Sequence, residues 1–371
     1  MNTVNDDDRI VMTLDAGGTN LVFSALQSGK EIIKPIKLTA NTTDLDICLK
    51  TIIKGFKSVK KTVQPKTPVA ISFAFPGPAD YEQGIIGDLP NFPCFRGGVA
   101  LGPMLEDIFK IPALINNDGD LFTYGESVSG FLPYVNDLLC KNNIDKTYKN
   151  LIGITLGTGF GAGTVVNNKI NLGDNSAAGE IWLTRNHINR DVIAEESVSI
   201  RAIQRVYTKS SGDQSKQTPW DIYRIAKGEM TGDKEAAIKA FEEMAVVVGE
   251  SLANAITLID APIVIGGGIA GASEFIVPKV VEHLNGKIGN LNGGSFPRVI
   301  STVFDLDDPQ SLNGFMSNST KTIKVPFSEK TVTYGEKKRI PIGVSKLGTS
   351  EAISLGAYTL ALNHLKTPVA H

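Results

Sequence analysis

A chain of 371 residues, 42% hydrophobic and 20% charged, has material for roughly two domains with buried cores. Its formal net charge of −2, with no basic or acidic block, argues against a nucleic-acid surface or a membrane-binding arm. Its apolar runs are too short or too interrupted to cross a bilayer. Cys48, Cys94 and Cys140 form no CxxC pair, and residues 1–9 lack an apolar signal core, so a reducing, cytoplasmic setting is expected.

Residues 10–14 form a short apolar run that stops at Asp15-Ala16-Gly17-Gly18-Thr19-Asn20, residues 21–26 are apolar again, and 31–38 alternate. This reads as three strands, the first two joined by a tight glycine turn. Leu45, Cys48, Leu49, Ile52, Ile53 and Phe56 recur at helical spacing and predict an amphipathic helix over 43–60. A buried-type strand over 68–73 closes at Phe75-Pro76-Gly77-Pro78, and a loop carrying Leu89-Pro90-Asn91-Phe92-Pro93 follows. A helix over 101–109 leads to the apolar run 111–115, which stops at Asn116-Asn117-Asp118-Gly119 before a helical segment from Leu121. Ligands in open α/β sheets collect where a strand ends and a helix begins. Asp118 there is a candidate general base, and equally a candidate N-cap.

After a polar link at 141–149 the pattern restarts. A strand over 151–156 meets the turn Gly157-Thr158-Gly159-Phe160-Gly161, a second strand covers 162–166, and Asn167-Asn168-Lys169 makes a further hairpin turn. Helices are expected over 195–207, 219–226, 234–259, 273–284 and 350–365, and a strand over 263–265 ends in Gly266-Gly267-Gly268. The segment 305–346 is polar, with short β-like pieces at 323–327 and 331–334 and no evident chemistry. Two halves with the same opening suggest an internal duplication. The expected domains are 1–120, completed by a C-terminal helix at 350–366, and 121–349 with an irregular insertion at about 305–346.

A glycine turn leaves backbone N–H groups uncovered, and such groups cradle phosphate oxygens. The first turn adds Asp15, a carboxylate able to hold a Mg²⁺-bound water, and the Thr19 hydroxyl. Any one of these turns serves a hairpin or loop without further function. Three in this order, with Asn117-Asp118 between the first and second, form a stronger signal. Gly266, Gly268 and Gly271 also fit G-x-G-x-x-G, which would suit a dinucleotide-binding oxidoreductase. That fingerprint needs an acidic strand end about 20 residues on, and 289–295 is rich in glycine and asparagine instead.

Asp15-Ala16-Gly17-Gly18-Thr19-Asn20, Leu156-Gly157-Thr158-Gly159 and Gly266-Gly267-Gly268 resemble the two phosphate motifs and the adenosine motif of actin-like sugar kinases. With Phe75-Pro76-Gly77-Pro78, Asn117-Asp118-Gly119, Glu126 and Ala178-Gly179-Glu180-Ile181, the chain resembles the ROK group (repressors, open reading frames, kinases) over about 10–365. The resemblance implies an α/β protein of two actin-like (ribonuclease H-like) domains around a cleft, with mixed sheets flanked by helices. It implies a cytoplasmic homodimer that uses ATP and Mg²⁺ to phosphorylate a hexose. Asp118 matches the catalytic base, and Asn91, Asn117, Glu180 and Glu195 (with Ser199 after it) match sugar ligands. Asp15, Gly17, Gly18, Thr19, Asn20, Gly157, Thr158, Gly159, Gly266, Gly267 and Gly268 match the nucleotide site, with Asp15 reaching Mg²⁺ through water.

Two departures stand out. Leu183 occupies a position where the group often has histidine, which leaves the sugar open among glucose, mannose, fructose and N-acetylhexosamines. Residues 184–194 contain no cysteine and only His187, so no zinc site is expected. The nine residues before the first strand are too few for the helix-turn-helix of the group's repressors. A sugar-binding regulator without turnover is the second reading.

Overall fold

Strand β1 (Ile10–Ala16) buries both faces: Ile10, Met12 and Leu14 enter one hydrophobic cluster while Val11 enters another. Period-2 alternation makes this possible, and a doubly covered sheet requires it. The computed structural model describes residues 6–17, 19–77, 79–89, 92–317, 320–335 and 338–366. β1 pairs antiparallel with β2 (Asn20–Gln27) across the first glycine turn. The expected third strand is split into β3 (Lys30–Glu31) and β4 (Ile36–Thr39), both paired with β2. Pro35, which lacks an N–H, precedes the second piece. Helix α1 (Leu45–Thr62) starts at an Asp44 cap that accepts the Ile47 N–H, and it lays Cys48, Ile52, Phe56 and Val59 on the sheet. A Cβ on Gly55 would stand 2.3 Å from the Phe23 ring, so the close approach of α1 to the sheet requires glycine there. β5 (Pro68–Ala74) follows, then a small sheet of β6 (Ala79–Asp80), β7 (Ile85–Ile86) and β8 (Val99–Ala100). α2 (Leu101–Phe109), β9 (Ala113–Asn116) and α3 (Asp118–Val128) come next.

The second half runs through α4 (Phe131–Lys141), β10 (Leu151–Leu156), β11 (Phe160–Val166) and β12 (Lys169–Ile170). The helix expected over 195–207 is a 3-10 turn at Ala194–Glu196 followed by α5 (Ile200–Ser211). α6 (Pro219–Lys227) opens with a Thr218–Asp221 capping box. α7 (Lys234–Ile259), β13 (Ile263–Gly266), α8 (Ser273–Leu284), β14 (Lys287–Gly289), β15 (Ser295–Pro297) and β16 (Thr302–Asp305) follow. The segment thought irregular holds α9 (Pro309–Met316), the exposed hairpin of β17 (Thr320–Lys324) and β18 (Thr331–Gly335), and β19 (Arg339–Val344), a buried strand between β13 and β16. Pro341 and Gly343 disguise β19 in the sequence; pairing with β13 begins at Ile342, one residue after the proline. α10 (Thr349–His364) closes the chain.

Two compact units result. One comprises Met1–Gly130, Gly163–Gly179 and Leu347–His371; the other comprises Phe131–Ala162 and Glu180–Lys346. The first sheet has the order β3-β2-β1-β5-β9 and the second β12-β11-β10-β13-β19-β16. In each, the opening hairpin is followed by strands parallel to its first member. The sequence placed the first boundary at 120; the first unit runs on to Gly130 because α3 packs on α10. A Cβ on Gly125 would lie 1.9 Å from the Ala352 carbonyl, and one on Gly356 would lie 1.9 Å from that of Leu121. Gly163, against Gly119 and Asp120, brings the end of β11 into the same unit. No helix among the described residues is long and apolar enough to cross a membrane.

Candidate active site

Parallel register places Asp15 of β1 beside Ala74 of β5, and Ala74 beside Asn116 of β9, so three strands end together. Two residues on, α3 begins. Its N-cap is Asn117, whose Oδ1 accepts the Gly119 N–H at 2.7 Å. The Asn117 N–H in turn donates to Oδ1 of the buried Asn116 at 2.7 Å. Asp118 therefore stands just inside the helix rather than capping it, although its Oδ1 takes a share of the Gly119 N–H at 2.9 Å.

Asp118 and Asp15 line one cavity of about 140 Å³, with Pro76 and with Ser350 and Ser354 of α10. Burial pushes the Asp118 carboxyl above the ordinary value of 3.8; the Asp15 charge adds to the rise, and the Gly119 and Asp118 N–H groups oppose it. Asp118 itself is exposed to solvent. Water therefore reaches the carboxylate, while the cavity walls replace part of its bulk solvent. Thr19 is exposed and its carbonyl accepts the Ala40 N–H at 3.0 Å, while Asn20 opens β2. The Gly17 N–H donates to the Asn20 carbonyl at 3.0 Å, closing the first turn. Gly18 and Asn91 lie outside the described residues.

In the other unit, Thr155 of β10 pairs in register with Gly266 of β13, so the second and third glycine turns emerge side by side. The second closes on itself, the Gly157 N–H donating to the Gly159 carbonyl at 3.1 Å, and leaves Thr158 exposed. A Cβ on Gly157 or Gly268 would meet nothing within 4 Å, so backbone there is open to a ligand. Gly267 is different: its φ is +88° and a Cβ would lie 2.2 Å from the Leu156 carbonyl, so only glycine fits.

Glu195 turns out to brace the second turn. Its Oε2 accepts the Phe160 N–H at 3.0 Å, and a Cβ on Gly159 would fall 2.5 Å from the same oxygen. Arg201 stands 3.7 Å from the other oxygen. Glu180 is exposed and accepts a hydrogen bond from the Trp182 indole N–H. Ser199 is buried, with no partner for its hydroxyl among the described residues. The first unit thus gathers Asp15, Asn117 and Asp118. The second gathers Gly157–Gly159, Gly266–Gly268 and Glu195, with Glu180 beside Trp182. Sequence reading missed Asn186, whose buried amide ties down the loop before Glu195. A single asparagine in a polar stretch carries no periodic signal.

The sequence matches the ROK family over residues 11–299. The chain is 25% identical over 309 residues to a glucokinase of Halalkalibacterium halodurans, spanning 74% of this chain and 85% of that one. It is 25% identical over 319 residues to an N-acetyl-D-glucosamine kinase of Photobacterium profundum, spanning 76% and 97%. The crystal structure of a glucokinase from Parabacteroides distasonis superimposes with a TM-score of 0.89 at 52% identity, covering 97% of this chain and 99% of that one. The chain belongs to the ROK family, among its sugar kinases, and has their actin-like fold.

Proposed function

We propose that this protein transfers the γ-phosphoryl group of ATP to a hexose hydroxyl, most simply the 6-hydroxyl of glucose, with Asp118 as general base. The observation that carries the reading is the placement of Asp118. Asn117 does the capping, and Asp118 is left in a concavity beside Asp15 with its proton affinity raised. A base whose pKa moves towards neutrality accepts a proton more readily in the transition state. The sugar oxygen attacks the γ-phosphorus, the bond to the ADP oxygen breaks, and the hydroxyl proton passes to Asp118.

Sugar hydroxyls both donate and accept, so amides and carboxylates suit them. The reading assigns Asn91, Glu180 and Glu195 to them, together with the Asn117 Nδ2, since the Asn117 Oδ1 already serves the helix. The bare backbone at Gly157 and Gly268 suits phosphate and nucleotide oxygens. Mg²⁺ fits the donor set. Asp15 is an exposed carboxylate whose field reaches Asp118, and no group of three or more His, Cys, Asp or Glu among the described residues forms an all-protein cage. Mg²⁺ commonly keeps its waters and binds through one or two carboxylates plus phosphates. When bound, it neutralises charge on the transferring group. The reading includes a cytoplasmic homodimer, which light scattering tests.

Coupled ADP release across glucose, mannose, fructose and N-acetylhexosamines tests the assignment. EDTA abolishes release and Mg²⁺ restores it if the reading holds. Calorimetric binding of a sugar without ADP release would instead establish a regulator.

A further inference from the structure

The loop between Glu180 and Glu195 is held by one side chain. Asn186 is fully buried, and its amide oxygen accepts the N–H groups of Ile188 at 3.0 Å and Asn189 at 2.9 Å. Its Nδ2 donates to the Ile193 carbonyl at 3.2 Å and to the Ser197 hydroxyl at 2.8 Å. Ile193 and Ser197 lie two residues before and two residues after Glu195. A single NH₂ group therefore pins both flanks of the residue that holds the Phe160 N–H. Backbone bonds complete the knot: the Asn186 N–H donates to the Val192 carbonyl at 3.0 Å and the Ala194 N–H to the Thr184 carbonyl at 2.8 Å. The Thr184 hydroxyl is 3.0 Å from that of Ser251 on α7, which moors the base of the loop to the core.

A zinc ion does not fit this loop. Residues 184–194 contain no cysteine and a single histidine, His187. The neighbouring His283 is engaged with Glu250 at 2.9 Å, and Arg298 holds the same carboxylate at 2.8 Å. A metal tethers a loop by drawing several donors to one point. The Asn186 amide does so with two N–H donors and an oxygen that accepts twice, all satisfied in a buried setting where such bonds are strongest.

We infer that Asn186 is a positioning residue for the phosphoryl-transfer site: it fixes Glu195, and through Glu195 the second glycine turn, in place of a metal. The inference rests on the proposed role of Glu195. Asn186→Asp keeps the size and the acceptor oxygen and removes both donors. It frees residues 193–197 while leaving the bonds to Ile188 and Asn189.

The test is a double-mutant cycle of Asn186→Asp and Glu195→Gln, read as kcat/KM for the best sugar, with hydrogen exchange over 193–198. The expected loss for Asn186→Asp alone is roughly 10- to 100-fold, as for a displaced ligand. In the Glu195→Gln background the same change costs less than about threefold, because the two act as one unit. Exchange accelerates at Glu196, Ser197 and Val198. An undiminished loss in that background overturns the inference, since Asn186 would then serve the fold alone, and so does an unaltered kcat/KM for Asn186→Asp. A silent Glu195→Gln removes the ligand role itself and is visible without any change at Asn186. Should Asn186→Asp fail to fold, Ser197→Ala removes one of the two anchors, and its smaller loss also vanishes with Glu195→Gln; a persisting loss overturns the inference. Wild-type enzyme treated with 1,10-phenanthroline and returned to Mg²⁺ keeps its loop exchange and activity. A loss that zinc reverses would show a metal doing the work assigned to Asn186.

Discussion

In the first unit Asp15 sits one residue from the end of β1, opposite Ala74; in the second Thr155 holds the same place on β10, opposite Gly266. The neighbouring strand ends differ as well. Ala74 leads into Phe75 and Pro76, and Gly266 into Gly267 and Gly268. One sheet order is used twice, yet the first unit presents two carboxylates at its strand ends and the second presents glycine backbone. Carboxylates there favour a cation and a proton, whereas glycine backbone with no Cβ in the way lets an anion approach. Under the proposed reading the base and metal side belongs to the first unit and the second and third nucleotide turns to the second. The repeated sheet order supplies positions, and a few side chains, or their absence, supply the chemistry.

Gly267 and Gly157 divide structural from functional glycines in the second unit. Gly267→Ala forces a Cβ against the Leu156 carbonyl at positive φ, and should cost about 2–5 kcal/mol in urea unfolding. Unchanged stability would mean that the two turns are not locked together as described. Gly157→Ala and Gly268→Ala meet no neighbour, so they should fold normally while raising the KM for ATP roughly tenfold through a lost phosphate contact. An equal rise in the KM for sugar would deny the second unit its nucleotide role.

The pH dependence sharpens the first unit's side. Asp118 must be ionised to accept a proton, and its pKa is raised, so kcat/KM should fall on the acid side with an apparent pKa above 3.8. Stability responds with the opposite sign. The folded protein takes up the proton at a higher pH than the unfolded chain, so ionised Asp118 costs stability above its folded pKa. That cost fades as pH falls through it. Removing the charge should leave Tm at neutral pH no lower than in the wild type. An acid limb at or below 3.8, or one that survives loss of the carboxylate, would place the titrating group elsewhere.

The smallest effect concerns the sugar ligands. Trp182 donates to Glu180, and the second tryptophan, Trp220, lies on α6. In a Trp220→Phe protein, sugar but not ATP alone should alter the tryptophan emission. A response to ATP alone would detach Glu180 from the sugar.

Much of the scaffold was legible because it is periodic. The runs at 151–156 and 234–259 are β10 and α7 as read, and 273–284 is α8. The strand that stops at Asn116 and the turn at Gly157 were visible as sharp changes from apolar to polar or glycine. β19 was not, because Pro341 and Gly343 break its pattern, although the strand is buried by its neighbours. The helix expected from residue 195 begins only at Ile200. Residues 194–196 form a 3-10 turn instead; Asn186 ties its flanks at Ile193 and Ser197, and the Glu195 carboxylate accepts the Phe160 N–H. The bracing role of Glu195 depends on a contact 35 residues away in sequence, which local spacing cannot reveal.

Asp118→Asn separates a general base from a residue that merely opens a helix. Asn117 already caps α3, and asparagine at 118 keeps the size of the side chain, so the protein should fold and bind its sugar with nearly unchanged Kd. Turnover should drop roughly 10²- to 10⁴-fold, the usual consequence of losing a general base. A folded Asp118→Asn protein that binds sugar and turns over at near the wild-type rate would contradict the mechanism.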